Sequence, residues 1–163
     1  MINKIIKIFK ESELDDIYLI GIFDDDSREF IVNNNFIYLE IGEYFLEIEA
    51  IESYSKLKIE IKKSIPEKNF FKDVVDSTIR ISEFIFINPL SKRKKFESVY
   101  FYNLDNRKNY IITDVLLIKL SSEQYIFIDP QFLGINIGGL EQKIWWENNL
   151  NPQKEVKIIK YDF

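Results

Sequence analysis

Alternation of apolar and polar residues over positions 36–61 constrains the fold of this chain more than any other feature. Apolar side chains occupy every second position in three short runs, at Ile37–Ile41, Leu46–Ala50 and Leu57–Ile61. Because successive side chains of a β-strand point to opposite faces, this period of two predicts three half-buried strands. Gly42 and Glu43 separate the first two runs. Glycine is at the first central position of this two-residue connection, where a tight hairpin turn favours it. The stretch therefore predicts an antiparallel meander.

Composition favours strands over the rest of the chain as well. Aromatic residues make up 15% of the 163 residues, and Ala50 is the only alanine. Alanine is the best helix former, whereas aromatic and β-branched residues favour strands. We predict one domain over residues 1–163, mainly β (a β-rich α+β fold), in which the meander forms a barrel or sandwich of about 9–11 strands with one or two short helices.

Patterns elsewhere in the chain predict the remaining elements. Strands are predicted at the following ranges: Lys4–Phe9, Ile17–Phe23, Glu29–Val32, Ile79–Ile87, Glu97–Tyr102, Tyr110–Leu120, Gln124–Asp129 and Lys154–Tyr161. The polar run Asn33–Asn35 predicts a turn, and Pro130 is expected to close the strand before it because proline cannot extend a ladder. Ser64–Thr78 is interpreted as a short helix or a loop, and Glu141–Leu150 as a helix.

Two missing residue types exclude much catalytic chemistry. The chain has no cysteine and no histidine, so thiolate nucleophiles, zinc–thiolate sites and Ser-His-Asp triads are excluded. An enzyme would have to use carboxylates, lysine, tyrosine or serine. No nucleophile motif is present, and we therefore predict a non-enzymatic protein without cofactor or metal, with a carboxylate-dependent hydrolase as an alternative.

No segment has the pattern of a membrane span or a signal peptide. Lysines interrupt the apolar N-terminal run Met1–Lys10, and no apolar run approaches the roughly 20 residues that a spanning helix needs. We predict a cytoplasmic protein that has no membrane partner.

Charge is distributed unevenly along the chain. The net charge is −5 overall, but it is −6 over residues 1–63 and +3 over residues 64–110. The only basic run, Lys92–Lys95, is interpreted as an exposed loop rather than a phosphate-binding site. The sequence predicts no direct contact with nucleic acid, and its acidic first third favours a protein partner that has a basic surface.

Three consecutive carboxylates, Asp24, Asp25 and Asp26, form the densest acidic group. Such a group is able to bind a hard cation or to face a basic partner. The alternate acidic positions, glycine and distal glutamate of a calcium loop are missing, and aspartate is common in turns. The solvated tip of a hairpin is therefore the competing interpretation.

Strands that pair through the Gly42 turn bring further acidic residues together. Glu40, Glu47 and Glu49 are predicted to share a face with Tyr38, and Phe45 lies nearby. If exposed, this face is an acidic surface with aromatic anchors, as protein interfaces use. An ordinary solvated sheet face is the alternative.

Two neighbouring tryptophans in the predicted C-terminal helix are expected to have different surroundings. Trp145 and Trp146 are adjacent, and neighbours on a helix do not share a face. At least one of them is expected to pack in the core, while the other is free to act as an exposed anchor.

In its size, acidity and lack of catalytic motifs, the chain resembles the immunity proteins that bacteria carry against polymorphic or contact-delivered toxins. The resemblance extends over the whole chain and involves no diagnostic motif. It implies a cytoplasmic inhibitor of one cognate toxin, for example a nuclease domain with a basic active site, bound through Asp24–Asp26, Glu40, Glu47 and Glu49. A β-barrel whose aromatic strands line a cavity for a small apolar ligand remains the other alternative.

Overall fold

A computed structural model describes residues 1–24, 26–67, 76–85, 94–150 and 155–163. Over these residues the chain forms twelve strands and three helices, and every strand pair is antiparallel. The predicted class, a β-rich fold with few helices, is confirmed. The described part has slightly more strands and helices than the sequence predicted.

Short elements follow one another closely along the chain. The helices are α1 (Ile2–Glu11), α2 (Ser82–Ile85) and α3 (Leu140–Asn148). The strands of the first half are β1 (Glu13–Asp24), β2 (Glu29–Ile41), β3 (Tyr44–Ile51), β4 (Lys56–Lys62) and β5 (Asp76–Arg80). Those of the second half are β6 (Lys94–Tyr102), β7 (Asp105–Asn106), β8 (Ile111–Thr113), β9 (Leu116–Leu120), β10 (Tyr125–Gln131), β11 (Gly134–Gly138) and β12 (Ile158–Asp162).

One continuous sheet contains all twelve strands and folds over on itself. Its main path runs β11-β10-β9-β6-β1-β2-β3-β4-β8-β7, while β5 pairs with β1 and β12 pairs with β6. The two halves join where Glu13 and Leu14 pair with Lys95 and Lys94. Strands β10 and β11 pack against β2, β3 and β4 without following them in the pairing order. The first half therefore faces the second, as in a sandwich.

A single large core fills the space between the two halves. It contains side chains from the first half such as Leu39 and Leu46, from the second half such as Val99 and Ile118, and from α1. The predicted meander supplies many of these residues, in the predicted alternation. Its Gly42 turn is confirmed, with Gly42 at φ +59° and its N–H donating to Asp15 Oδ2 at 2.9 Å.

The N-terminal segment is a helix, so the predicted strand at Lys4–Phe9 is wrong. Helix α1 buries Ile2, Ile5, Ile8 and Phe9, which recur at helical spacing and form one apolar stripe. The Phe9 ring meets Phe96 of β6 edge to face, at 4.7 Å between centroids. Tertiary packing of this stripe stabilises a helix that composition alone disfavours.

The polar run Asn33–Asn35 is a bulge within β2 and does not end the strand. On β1, Leu19 and Gly21 pair with Ile37 and Val32, so four residues of β2 lie opposite one residue of β1. Asn33 Oδ1 accepts the Asn35 N–H at 3.0 Å, which is the turn chemistry that the sequence indicated. The bulge brings β2 against Gly21, whose missing Cβ would lie 2.2 Å from the Ile31 carbonyl oxygen.

Other element boundaries also differ from the prediction. The strand predicted at Ile79–Ile87 ends at Arg80, and α2 follows from Ser82 to Ile85. In the predicted basic loop, Lys94 and Lys95 instead begin β6, and Lys94 is buried. Strand β10 continues past Pro130, which lies opposite Ile135.

Several predicted elements fall partly outside the described residues, among them positions 86–87 of the strand predicted at Ile79–Ile87 and position 154 of the strand predicted at Lys154–Tyr161. Most of the predicted helix or loop at Ser64–Thr78 does, and so do residues 92–93 of the basic run. The helix predicted at Glu141–Leu150 is confirmed as α3, and the last predicted strand is confirmed as β12, beginning four residues later than predicted.

Substitution of Gly21 tests the close approach of β1 and β2. Gly21→Ala places a methyl group against backbone that is unable to rotate away, so we expect a loss of about 2–4 kcal/mol in the free energy of unfolding, measured by urea denaturation. Gly139→Ala is the control, because its new methyl would meet the Glu141 carboxylate, the movable end of a side chain. Equal losses in the two variants would show that β1 and β2 do not approach this closely.

Candidate functional site

The surface of β1–β4 that faces away from the main core carries most of the residues predicted to bind a partner. We call it the outer face and define it by three rows of directly paired residues. The first row is Asp16, Glu40, Phe45 and Lys62; the second is Arg80, Tyr18, Tyr38, Glu47 and Glu60; the third is Phe36, Glu49 and Lys58. Directly opposed residues of antiparallel strands share a face, so all of these side chains emerge on one side.

The structure brings Tyr38, Glu40, Glu47 and Glu49 together as predicted, but at different depths. Tyr38 is fully buried in a small apolar cluster with Ile20 and Phe36, and Glu47 is 3% exposed. Glu40 and Glu49 are only partly buried. A partner that approaches the outer face therefore meets Glu40 and Glu49, whereas Tyr38 and Glu47 lie beneath the surface and support it.

Hydrogen bonds and ion pairs compensate the Glu47 carboxylate for its burial. The Tyr38 hydroxyl donates to Glu47 Oε2 at 2.8 Å. Lys62 Nζ lies 3.4 Å from Glu47 Oε1 and 2.5 Å from Glu60 Oε2. A carboxylate that is removed from water needs such partners, because an unpaired buried charge costs several kcal/mol.

This network of hydrogen bonds and ion pairs continues along β4 through a second lysine. Lys58 Nζ lies 2.8 Å from Glu60 Oε1 and 3.3 Å from Glu49 Oε2. Glutamates and lysines thus alternate across β3 and β4, and each lysine contacts two carboxylates. The acidic character predicted for this face is partly neutralised from within the chain.

The closeness of Glu47 and Glu60 bears on the alternative that this protein is a carboxylate-dependent hydrolase. Since both contact Lys62, their carboxylates lie within about 6 Å of each other, near the separation of glycosidase pairs. Burial by itself would raise the pKa of Glu60, but hydrogen bonds from Lys58 and Lys62 outweigh it and hold the pKa below its usual range. A general acid needs a raised pKa, so Glu60 is not suited to act as the general acid of such a pair.

Tyr18 and Phe45 form the accessible aromatic part of the outer face. Their rings pack edge to face with centroids 6.2 Å apart, and both side chains are half-buried. The Tyr18 hydroxyl donates to Glu40 Oε2 at 2.9 Å. Burial, together with the hydrogen bond to Glu40 and the negative charges of Glu40 and Asp16, raises the pKa of Tyr18 to about 12, so Tyr18 remains a neutral donor.

The sequence prediction missed Tyr18 and Asp16 as members of this face. Asp16 contacts the Arg80 guanidinium at 3.4 Å and accepts a hydrogen bond from the Ser82 hydroxyl, so it connects the outer face to β5 and α2. Period-two spacing with Ile20 was the available signal. It was obscured because the apolar run Ile17–Phe23 also fits a strand that is buried on both faces.

The predicted acidic group at residues 24–26 lies apart from the outer face, at the end of the β1–β2 hairpin. Asp24 Oδ1 accepts the Asp26 N–H at 3.1 Å, and Asp24 Oδ2 accepts the Ser27 hydroxyl at 2.8 Å. Those bonds hold the pKa of the Asp24 carboxyl below its usual range. Asp24 is six residues from Tyr18 along β1, about 20 Å in an extended strand, and Asp25 lies outside the described residues.

A buried carboxylate on the second half of the sheet was not predicted. Asp129 is fully buried and accepts hydrogen bonds from the side-chain amides of Gln131 at 3.1 Å and Gln142 at 3.3 Å. Burial raises the pKa of Asp129 to about 6, against the two hydrogen bonds, which favour the charged form. Gln142 belongs to α3, so Asp129 fastens this helix to β10.

The two tryptophans of α3 behave as predicted. Trp146 packs on Tyr102 and Phe127, with centroid distances of 5.4 and 6.0 Å. Trp145 is 53% exposed. Leu140, Ile144 and Phe84 are also exposed, and Leu140 and Phe84 line a cleft of about 420 Å³. This apolar surface is a second place where a partner is able to dock.

The described ranges hold neither a cluster of metal ligands nor a helix that could cross a membrane. They contain no group of three or more metal-ligating side chains. No helix in the described part of the chain is long and apolar enough to cross a bilayer.

Removing Lys62 tests whether the network stabilises the outer face. Lys62→Met removes the ammonium group that lies 3.4 Å from the buried Glu47 carboxylate, so we expect a loss of about 1–3 kcal/mol in the free energy of unfolding at pH 7. The matched control is Lys56→Met, since Lys56 pairs with Glu52 at 3.3 Å where both side chains are exposed, and its loss should stay within about 0.5 kcal/mol. Similar losses for both variants would contradict a stabilising role for the network.

Protonation of Asp129 gives a pH dependence of known sign. The pKa of Asp129 in the folded protein, about 6, exceeds its ordinary value of 3.8, so folding favours the neutral form and this contribution is lost as pH rises through about 6. Relative to Asp129→Asn, the wild type should lose about 3 kcal/mol of unfolding free energy between pH 3.5 and pH 7. Urea denaturation of both proteins across this range measures the difference, and a constant difference would contradict the burial of a titrating Asp129.

No protein-family model, curated protein or solved structure matches this chain. The fold and the outer face therefore carry the functional argument by themselves. The outer face is a sheet surface that carries the Tyr18–Phe45 pair, neighbouring carboxylates and a network of ion pairs.

Proposed function

We propose that this protein is a non-enzymatic binding module that acts as an immunity protein, which binds and neutralises a cognate bacterial toxin domain in the cytoplasm. The partner is a protein with a basic surface, for example a nuclease domain. It docks on the outer face, where Glu40 and Glu49 meet its basic side chains and the Tyr18–Phe45 pair supplies apolar contact.

One observation carries the proposal: the half-buried Tyr18–Phe45 pair lies beside Glu40 on a sheet surface with a net negative charge. Counting the three rows, the outer face has five carboxylates and three cations, which leaves it negative. Aromatic side chains at the centre of a charged surface are typical of binding hot spots. Negative charge around them favours association with a basic partner and disfavours nucleic acid.

The buried network supports this role by fixing the surface before binding. Tyr38, Glu47 and Lys62 hold β2, β3 and β4 in register through side-chain bonds. A surface that is already ordered loses little conformational entropy on association, and this increases affinity. Tight inhibition of a toxin by a small protein requires such preorganisation.

Co-expression with the product of the gene immediately upstream, followed by purification of the complex and a growth-rescue assay, tests the proposal. We expect a stable complex that rescues growth and weakens with added salt. The double variant Glu40→Gln/Glu49→Gln should bind about tenfold more weakly, because two charge pairs of roughly 0.7 kcal/mol each are lost. Glu52→Gln, an exposed acid at the β3–β4 turn, is the matched control and should bind like the wild type.

Two outcomes would contradict the proposal in different ways. Absence of both complex and rescue would overturn the immunity function. A complex that withstands the double variant but is lost in Trp145→Ala would place the partner on α3 and overturn the role of the outer face.

A further inference from the structure

A second cavity, of about 510 Å³, lies between α1 and the edge of the β3–β4 hairpin. Its apolar wall is formed by Met1, Ile8, Tyr44 and Ile61, which also pack in or against the main core. A volume of this size is within the range of small-molecule sites. The cavity lies outside the core, so it differs from the barrel interior that the sequence suggested for an apolar ligand.

Lysines surround this apolar wall although the protein as a whole is acidic. Lys4 and Lys7 line the cavity from α1, and Lys63 lies 3.9 Å from the centroid of the Tyr44 ring. Glu11 is the only acidic side chain among the described residues of the lining, and it meets Lys7 at 3.9 Å with both side chains well exposed. Lys4 has no ion-pair partner among the described residues.

An apolar wall beside two lysines and one glutamate, which together leave a positive charge, selects a particular ligand chemistry. An alkyl chain gains by leaving water against Ile8 and Ile61, and a negatively charged head group gains by meeting Lys4 and Lys7. A cationic or neutral amphiphile gains only the burial of its alkyl chain. The geometry points to a binding site for a free fatty acid, with its carboxylate at Lys4 and Lys7 and its chain along Ile8, Tyr44 and Ile61.

This site is independent of the proposed inhibitor function. It lies on α1 and on the core-facing side chains of β3 and β4, whereas the outer face uses the alternate residues of the same strands. Either assignment stands if the other fails.

Dodecanoate, kept below its micelle concentration, is the probe for this site. Isoleucine-methyl NMR of the full chain should show saturable shifts at Ile8 and Ile61, while Ile144, exposed on α3, stays unchanged. Dodecanol should bind more weakly, since it lacks the charge. In Lys4→Gln/Lys7→Gln the dissociation constant for dodecanoate should rise about fivefold and that for dodecanol should stay constant.

Lys10→Gln is the matched control, because Lys10 is exposed on the same helix but does not line the cavity. It should bind dodecanoate like the wild type. Equal affinity for dodecanoate and dodecanol, shifts centred away from Ile8 and Ile61, or no effect of the double variant would overturn the assignment.

Discussion

One face of the β1–β4 sheet packs against the main core, and the other carries a small apolar cluster of Ile20, Phe36 and Tyr38. Polar side chains beside this cluster are partly removed from water, so they need hydrogen-bond partners from within the chain. Tyr38, Glu47 and Lys62 meet that need through hydrogen-bonded ionic contacts. The register of β2, β3 and β4 follows from the same requirement, because a slip of one residue would carry Glu47 to the core side and Leu46 or Ile48 to the outer face. Architecture and candidate site thus depend on one set of buried polar contacts.

Much of the fold is predictable from the sequence where one period dominates. Ile37–Ile41 and Leu57–Ile61 alternate cleanly, and their strands, their pairing and the Gly42 turn follow. The sequence prediction missed α1 because a short run with many isoleucines fits both the two-residue period of a strand and the 3.6-residue period of a helix. The helical spacing of Ile2, Ile5 and Phe9 becomes decisive only when the apolar stripe of α1 packs against Phe96. The Asn33–Asn35 bulge has the local chemistry of a turn, and only the pairing of β1 on both sides of it keeps β2 continuous.

The candidate site is less predictable, because burial and charge pairing arise between strands. Alternation placed Tyr38, Glu40, Glu47 and Glu49 on one face, and the pairings confirm it. The same pattern did not indicate that Tyr38 and Glu47 would lie beneath the surface or that Lys58 and Lys62 would each contact two carboxylates. Those features depend on the pairing of β3 with β4 and on the side chains that cover the face. They turn a uniformly acidic surface into one of mixed charge, in which Phe45 lies between Glu40 and Lys62 and Tyr18 lies opposite Arg80.

Buried Tyr38 and Glu47 are expected to stabilise each other and thereby to fix the outer face. A double-mutant cycle with Tyr38→Phe, Glu47→Leu and the combined variant, followed by urea denaturation at pH 7, tests it most directly. A hydrogen bond from a buried hydroxyl to a carboxylate predicts a coupling free energy of about 1–2 kcal/mol. Additive effects of the two substitutions, with no coupling beyond experimental error, would contradict the account.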